Sequence, residues 1–352
     1  MYVFKPLLKQ TIWGGEAIAT FKNIRTDLHS IGESWEISAV EGYLSVVADG
    51  KDEGKTIVEL IDEYQDRLVG KQVYAHFGNT FPLLIKFIDA RRDLSIQVHP
   101  DDATAMQRHG TRGKTEMWYI VKADEGSHIK LGFKQSVSKA DYSRMVEDHS
   151  ITNVLNEQVV KPGDVFFLPA GRVHSVGSGV FLAEIQETSD ITYRIYDYGR
   201  KDANGKEREL HTELARDVID YSVRKDYQTH YKEENDKRVG LIDCPLFTTN
   251  LIAPTKVFHA DYSELDSFVV MMCMEGGAII TEHGADGEER RSIEQGGTVL
   301  IPATAKGVDI EPVGKCRMLE VFLGKSQESR VESQGSRVKS QGARVEGRES
   351  SL

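Results

Sequence analysis

Cysteine is scarce: Cys244, Cys273 and Cys316 lie far apart in 352 residues and form no C-x-x-C pair. That leaves no dithiol motif and fits a reducing compartment. Positive charge is in deficit too, with 44 Lys and Arg against 55 Asp and Glu, a formal net charge of −11. A general nucleic-acid or membrane-surface binder is disfavoured, and any anionic ligand needs a locally basic pocket. Long apolar runs are also missing. The stretch "FVVMMCM" (268–274) is far too short to span a bilayer, and "MYVFKPLLKQTIWGG" at the start has no continuous apolar segment. The expectation is a cytoplasmic protein with neither a nucleic-acid nor a membrane partner.

What is present is globular. The chain is 39% hydrophobic and 28% charged, long enough for two domains or one large double-layered one. Apolar spacing predicts helices over 56–70, over 138–156 with Ser138 as N-cap, and over 213–228. Most of the remainder alternates in short strands broken by Gly and Pro, which predicts β-sandwich or β-barrel domains with helical insertions. The end differs in kind. Three seven-residue copies, "SQESRVE", "SQGSRVK" and "SQGARVE", start at Ser326, Ser333 and Ser340. With one Val per copy they lack the two apolar positions a coiled coil requires, so 325–352 is expected to be a disordered tail. Deleting residues 326–352 is expected to leave melting temperature, metal content and turnover nearly unchanged; a large loss of any of them would contradict this.

The chemistry gathers around "LSIQVHPDD" (94–102). Alternation places Gln97 and His99 on one face of a strand and the aliphatics on the other, before Pro100 ends it. Asp101 and Asp102 read either as acceptors orienting His99 or, more simply, as a solvated turn. Downstream, "GDVFFLPAGRVH" (163–174) fits G-x5-P-x-G-x2-H, a signature of cupin barrels. Gly163 turns into a strand, Pro169 and Gly171 end it, and His174 begins the next strand facing inward. "GKTEMWYIV" (113–121) adds Glu116 at a strand start. Singly, each residue is better read as an ordinary polar side chain. Their ordered joint occurrence points to a metal site of Gln97, His99, Glu116 and His174. Two imidazoles and one carboxylate form a catalytic-type inventory with an open position, and the amide keeps iron, manganese and cobalt open beside zinc.

The ordered motifs "FPLLIKFIDA", "LSIQVHPDD", "GKTEMWYIV", "PAGRVHSVG" and "SDITYRIYDYGR" resemble the type I mannose-6-phosphate isomerases (phosphomannose isomerases), in their short bacterial form, from Trp13 to about residue 323. The resemblance implies a mainly β fold of two cupin-like β-barrel (jelly-roll) domains with helical insertions. It divides the chain into a metal-binding domain (1–240) and a C-terminal domain without metal (241–324), where "GGTVLIPATAKG" has no His in the place of His174. It implies one Zn2+ per chain held by Gln97, His99, Glu116 and His174. Arg194 in "SDITYR" maps onto the family's essential arginine, Glu184 onto its acidic residue, and Lys86 and Lys114 onto its active-site lysines. Arg194, Lys114 and Trp13 are the expected substrate contacts, although Trp13 reads equally as core. The implied partner is a phosphorylated hexose, and the implied state a monomer or weak homodimer.

The implied reaction moves a proton between C1 and C2 of the sugar through a cis-enediol. Candidates for the base are Glu184, Lys86, Lys114 or a hydroxide on the metal. Arg194 suits a planar grip on phosphate or a developing oxyanion, against a bland alternative of a surface salt bridge with Asp190 or Asp197. The rival functions are an Fe(II) cupin dioxygenase, a cupin-type phosphoglucose isomerase and a non-catalytic sugar-binding cupin. The first two use H-x-H where this chain has Gln97-Val98-His99.

Overall fold

The computed structural model describes residues 1–201, 204–284 and 287–324, so the repeats at 325–352 lie outside the described residues. Strands dominate. Seven antiparallel strands form one sheet in the order Leu7–Gly15, Ile31–Ile37, Leu83–Ala90, Val180–Glu187, Glu116–Ala123, Val165–Leu168 and Gln228–Thr229. Five more form a second sheet: Tyr193–Tyr196, Ile96–Val98, His174–Val176, His128–Phe133 and Leu155–Val159. Trp118, Ile120, Phe166 and Leu182 of the first sheet meet Ile129, Leu131 and Val176 of the second in one apolar core. Among the described residues both strand orders have free ends, so this half is two sheets packed face to face, the jelly-roll form of the expected mainly β fold, and not a closed barrel.

Two central strands, Leu83–Ala90 and Val180–Glu187, are buried at all eight positions each. The reason is that both of their faces are covered. Odd-numbered Ile85, Phe87, Ala183 and Ile185 join a core shared with Ile57, Leu60 and Ile61 of a capped helix and with Val270 and Leu319 of the C-terminal half. Even-numbered Lys86 and Glu184 therefore point the other way, toward the second sheet, by the two-residue period of a strand. That parity places the polar chemistry inside the double layer.

In the C-terminal half, Val269–Gly284 and Gly307–Phe322 are sixteen residues each and pair along most of their length. Register shifts at Cys273/Glu275 and Glu275/Gly277 let the ladder bend around its own core of Met271, Ile280, Val299 and Ile310. The shared core means that the division expected near residue 240 does not separate two independent apolar interiors.

The helix expected over 56–70 runs as Ile57–Tyr64 and Asp66–Val69, broken at Gln65, whose φ is +50°. Ser138 caps Lys139–Glu147 by accepting the Asp141 N–H, and a 3-10 turn over Ser150–Val154 follows. The helix expected over 213–228 is cut short. It spans only Thr212–Val218, because the Asp220 N–H is drawn to the Gly171 carbonyl and Tyr221 stacks on Phe133. No described helix is long and apolar enough to cross a membrane.

Candidate metal centre and cleft

The second sheet lines up three of the expected residues side by side. Gln97 pairs across the ladder with His174 on one neighbouring strand and with Arg194 on the other. The turn before His174 is the one its sequence demands. Gly171 has φ +86°, a Cβ there would lie 2.7 Å from the Val218 carbonyl, and its N–H donates to the His99 carbonyl at 2.8 Å. Glu116 enters from the first sheet. Its carboxylate lies 3.2 Å from His174 Nε2 and 3.6 Å from His99 Nε2. All three residues are buried.

Each imidazole is fixed by its other nitrogen. His99 Nδ1 is 2.8 Å from the Ile191 carbonyl, and His174 Nδ1 is 2.8 Å from the Arg172 carbonyl. A carbonyl can only accept, so both Nδ1 atoms carry the proton and both Nε2 lone pairs face Glu116. Asp101 and Asp102 do not orient His99. Asp101 caps the unexpected helix Asp102–His109 by accepting the Thr104 N–H, and Asp102 accepts from Gly113 and Arg112.

These donors fit a metal ion. His99 Nε2 and both Glu116 oxygens are buried without a hydrogen-bond partner among the described residues, a costly state for polar atoms with nothing to bind. Tetrahedral donors about 2.1 Å from an ion stand roughly 3.4 Å apart; here Glu116 Oε1 is 3.2 Å from His174 Nε2, its Oε2 is 3.6 Å from His99 Nε2, and one ligand atom from each of the three residues lies within 4.8 Å of the others. The Gln97 amide nitrogen is 3.2 Å from His174 Nε2; a half-turn of the amide puts its oxygen there instead. Without a cation the group resists charge. Burial, with Glu184 nearby, pushes the Glu116 carboxyl up to about 8, and burial holds His174 down at about 4.

Above the centre opens a cleft of about 680 Å³. Gln97, Lys114, Lys86, Glu184, Arg194 and Trp13 all line it, whereas His99, Glu116 and His174 are buried next to Gln97 and Lys114 and are not among its lining residues. None of its lining residues comes from the C-terminal half. Trp13 is at once cleft wall and core. Lys86 and Glu184 face each other across neighbouring strands with Nζ 2.8 Å from the carboxylate. Burial would raise the Glu184 carboxyl, but Lys86, Lys114 and the Trp118 indole outweigh it and hold it at about 2. Lys114 Nζ lies 3.4 Å from Glu116. Arg194 forms no ion pair among the described residues. Its Nη1 donates to the Glu209 carbonyl at 3.0 Å, and Asp197 is taken by Arg200 and Arg208 instead.

Sequence reasoning missed Trp118, Arg208 and His211. Trp118 packs edge-on against His174 and donates its indole N–H to Glu184 at 2.8 Å. A signal existed, since Trp118 stands two residues after Glu116 and shares its face. Arg208 and His211 line the cleft from a segment with no periodicity to read. Glu187 was also missed. Its carboxylate accepts the Thr115 N–H at 2.8 Å, and burial, with Asp102 nearby, pushes it up to about 7. A folded carboxyl raised above its unfolded value, about 4.3, adds stability that is complete at lower pH and lost as pH rises through about 7. Glu187→Gln should flatten the fall in melting temperature between pH 5 and 8; an unchanged slope would contradict this.

The N-terminal part, residues 1–126, matches the family described as phosphomannose isomerase type I, catalytic domain. Mannose-6-phosphate isomerase ManA of Bacillus subtilis (strain 168) is 35% identical over 320 residues, covering 89% of this chain and 96% of the relative. Mannose-6-phosphate isomerase of Streptococcus mutans is 38% identical over 216 residues, or 60% of this chain and 65% of the relative. Among solved structures, the mannose 6-phosphate isomerase from Bacillus subtilis superposes with a TM-score of 0.81 at 29% identity, covering 91% of this chain and 98% of that one.

Proposed function

The chain belongs to the type I phosphomannose isomerase family, and from that premise we propose that it interconverts mannose 6-phosphate and fructose 6-phosphate at the cleft above His99, Glu116 and His174. The observation that carries the reading is the buried donor set beside that cleft, in which His99 Nε2 and both Glu116 oxygens lack a hydrogen-bond partner among the described residues. Two imidazole nitrogens and a carboxylate favour zinc, with the Gln97 amide oxygen as a fourth donor and about one ion per chain. When bound, such an ion supplies Lewis acidity toward the sugar's carbonyl and hydroxyl oxygens. The enzyme is proposed to work in the cytoplasm, as a monomer or weak homodimer.

The chain's own residues divide the remaining work. Lys86 is held protonated, since Glu184 and Glu33 outweigh the burial that would discharge it. It can donate to a sugar oxygen but cannot take a proton from carbon. Glu184 is ionised, aimed by Lys86 and by the Trp118 indole, and faces the cleft. We assign it the transfer of the proton between C1 and C2. Its low pKa makes it a weak base, so the acidity of the sugar must be raised by its surroundings. Lys114, on the same wall, is placed to steady a developing oxyanion. Trp13 offers an apolar face to the sugar chain. Arg194 serves the phosphate end or the oxyanion.

The test is Glu184→Gln. It should keep its metal and its fold while kcat for mannose 6-phosphate falls at least about a hundredfold. A kcat near wild type in the folded, metal-loaded variant would move the base elsewhere.

A further inference from the structure

The cleft's positive charge is unevenly spent. Lys86 is engaged by Glu184 and lies 3.7 Å from Glu33, and Lys114 leans on Glu116. At the other end the balance reverses. Three guanidinium groups, Arg194, Arg200 and Arg208, share the neighbourhood of one buried carboxylate, Asp197. Glu209, the other carboxylate that Arg194 senses, is exposed to solvent. Arg200 is turned away from the cleft, donating to the Asp93 carbonyl. Arg208 is turned into it. Asp197 accepts from Arg208 Nε at 2.7 Å and Nη2 at 2.5 Å, which fixes the plane of the guanidinium and leaves Nη1 outside the ion pair.

Arg194 stands beside it, with its Nε buried and without a partner among the described residues. Burial and then Arg208 itself lower the basicity of Arg194, against the opposing pull of Asp197 and Glu209. His211 ties the segment to the sheet at two points. Its N–H donates to the Arg194 carbonyl at 2.7 Å, and its Nδ1 accepts the Arg194 N–H at 3.1 Å. Arg208, three residues earlier, is thereby positioned beside Arg194 rather than free in solvent. A surface arginine cluster would need none of this bracing.

We infer that Arg208, braced by Asp197 and set beside Arg194, binds the phosphate of the substrate and sets the enzyme's preference for a phosphorylated over a plain sugar. The inference rests on the proposed isomerase reading for what the dianion is attached to. The geometry suits it. Arg194 is one strand from Gln97 and two from His174, about 10 Å across the sheet, so the two ends of an extended sugar phosphate are served by different residues. The planar forks of two arginines match tetrahedral phosphate oxygens in a way that lysines do not.

The test uses the metal-loaded, full-length enzyme with Arg208→Ala and Arg208→Lys. Arg208→Ala leaves Asp197 paired with Arg200, so a fold is expected. KM for mannose 6-phosphate should rise about 10- to 100-fold with kcat within about threefold, because the group is bound equally in ground and transition states. Arg208→Lys should recover part of the loss. Inorganic phosphate gives a readout independent of turnover: it should raise the melting temperature of the wild type and fail to do so for Arg208→Ala. If Arg208 merely holds Asp197, melting temperature falls but KM and the phosphate effect stay as in the wild type, and the inference is overturned. No phosphate effect on the wild type would overturn it too. A phosphate effect that depends on Arg208, in a protein that does not isomerise mannose 6-phosphate, would keep the anion subsite and sink the isomerase reading instead.

Discussion

Glu116→Gln is expected to fold, to lose its divalent ion and to lose all measurable isomerase turnover. Glu116 is fully buried between two neutral imidazoles and supplies the one negative charge of the donor set. A divalent ion with neutral ligands alone would leave its whole charge in a dry interior, which is prohibitive. The fold should survive for a related reason. In the metal-free protein the carboxyl is pushed up to about 8, so near neutral pH it is largely protonated, and a neutral amide of the same shape replaces it closely. Melting curves supply a second check. An ion bound only by the folded state stabilises the wild type, so a chelator should lower its melting temperature and leave that of Glu116→Gln unmoved. A variant that keeps both metal and turnover would show that the charge lies elsewhere.

Arg194→Ala should keep fold and metal while kcat/KM for mannose 6-phosphate falls by on the order of 10³. The half-buried guanidinium lines the cleft next to Gln97 and spends only Nη1 on a protein acceptor, the Glu209 carbonyl, among the described residues. Removing it deletes a cation from the cleft proposed to hold the substrate's phosphate. Lysine should recover little, since a point charge cannot reproduce a planar fork. A loss confined to KM would assign Arg194 to the phosphate alone, beside Arg208. A fall in kcat as well would give it a share in the transition state. A salt bridge with Asp197, the bland expectation, predicts near-normal kinetics, and Asp197 already has two other partners. Wild-type turnover in folded Arg194→Ala would remove the residue from the mechanism.

The donor set was legible because short-range rules govern it. Period two puts Gln97 and His99 on one face, and a turn that needs Gly at positive φ fixes where His174 starts. What links residues distant in sequence was not legible. The Lys86–Glu184 pair depends on the register of two strands nearly a hundred residues apart. Arg208 and His211 come from a segment whose place is set by Asp197 and by the main chain of Arg194, not by any pattern of its own. Local signals mislead as well: Asp101 with Thr104 three residues on is an N-cap although the stretch reads as a solvated turn, and the residues after Val218 keep a helical spacing that tertiary bonds override.

The central claim is a metal-dependent isomerase, and one measurement meets it directly: divalent metal content and mannose 6-phosphate turnover followed together through stripping and reloading of the purified protein. About one ion per chain, loss of turnover in step with loss of the ion, and recovery when zinc is restored are the predicted results. Full turnover after all metal has demonstrably been removed would contradict the account.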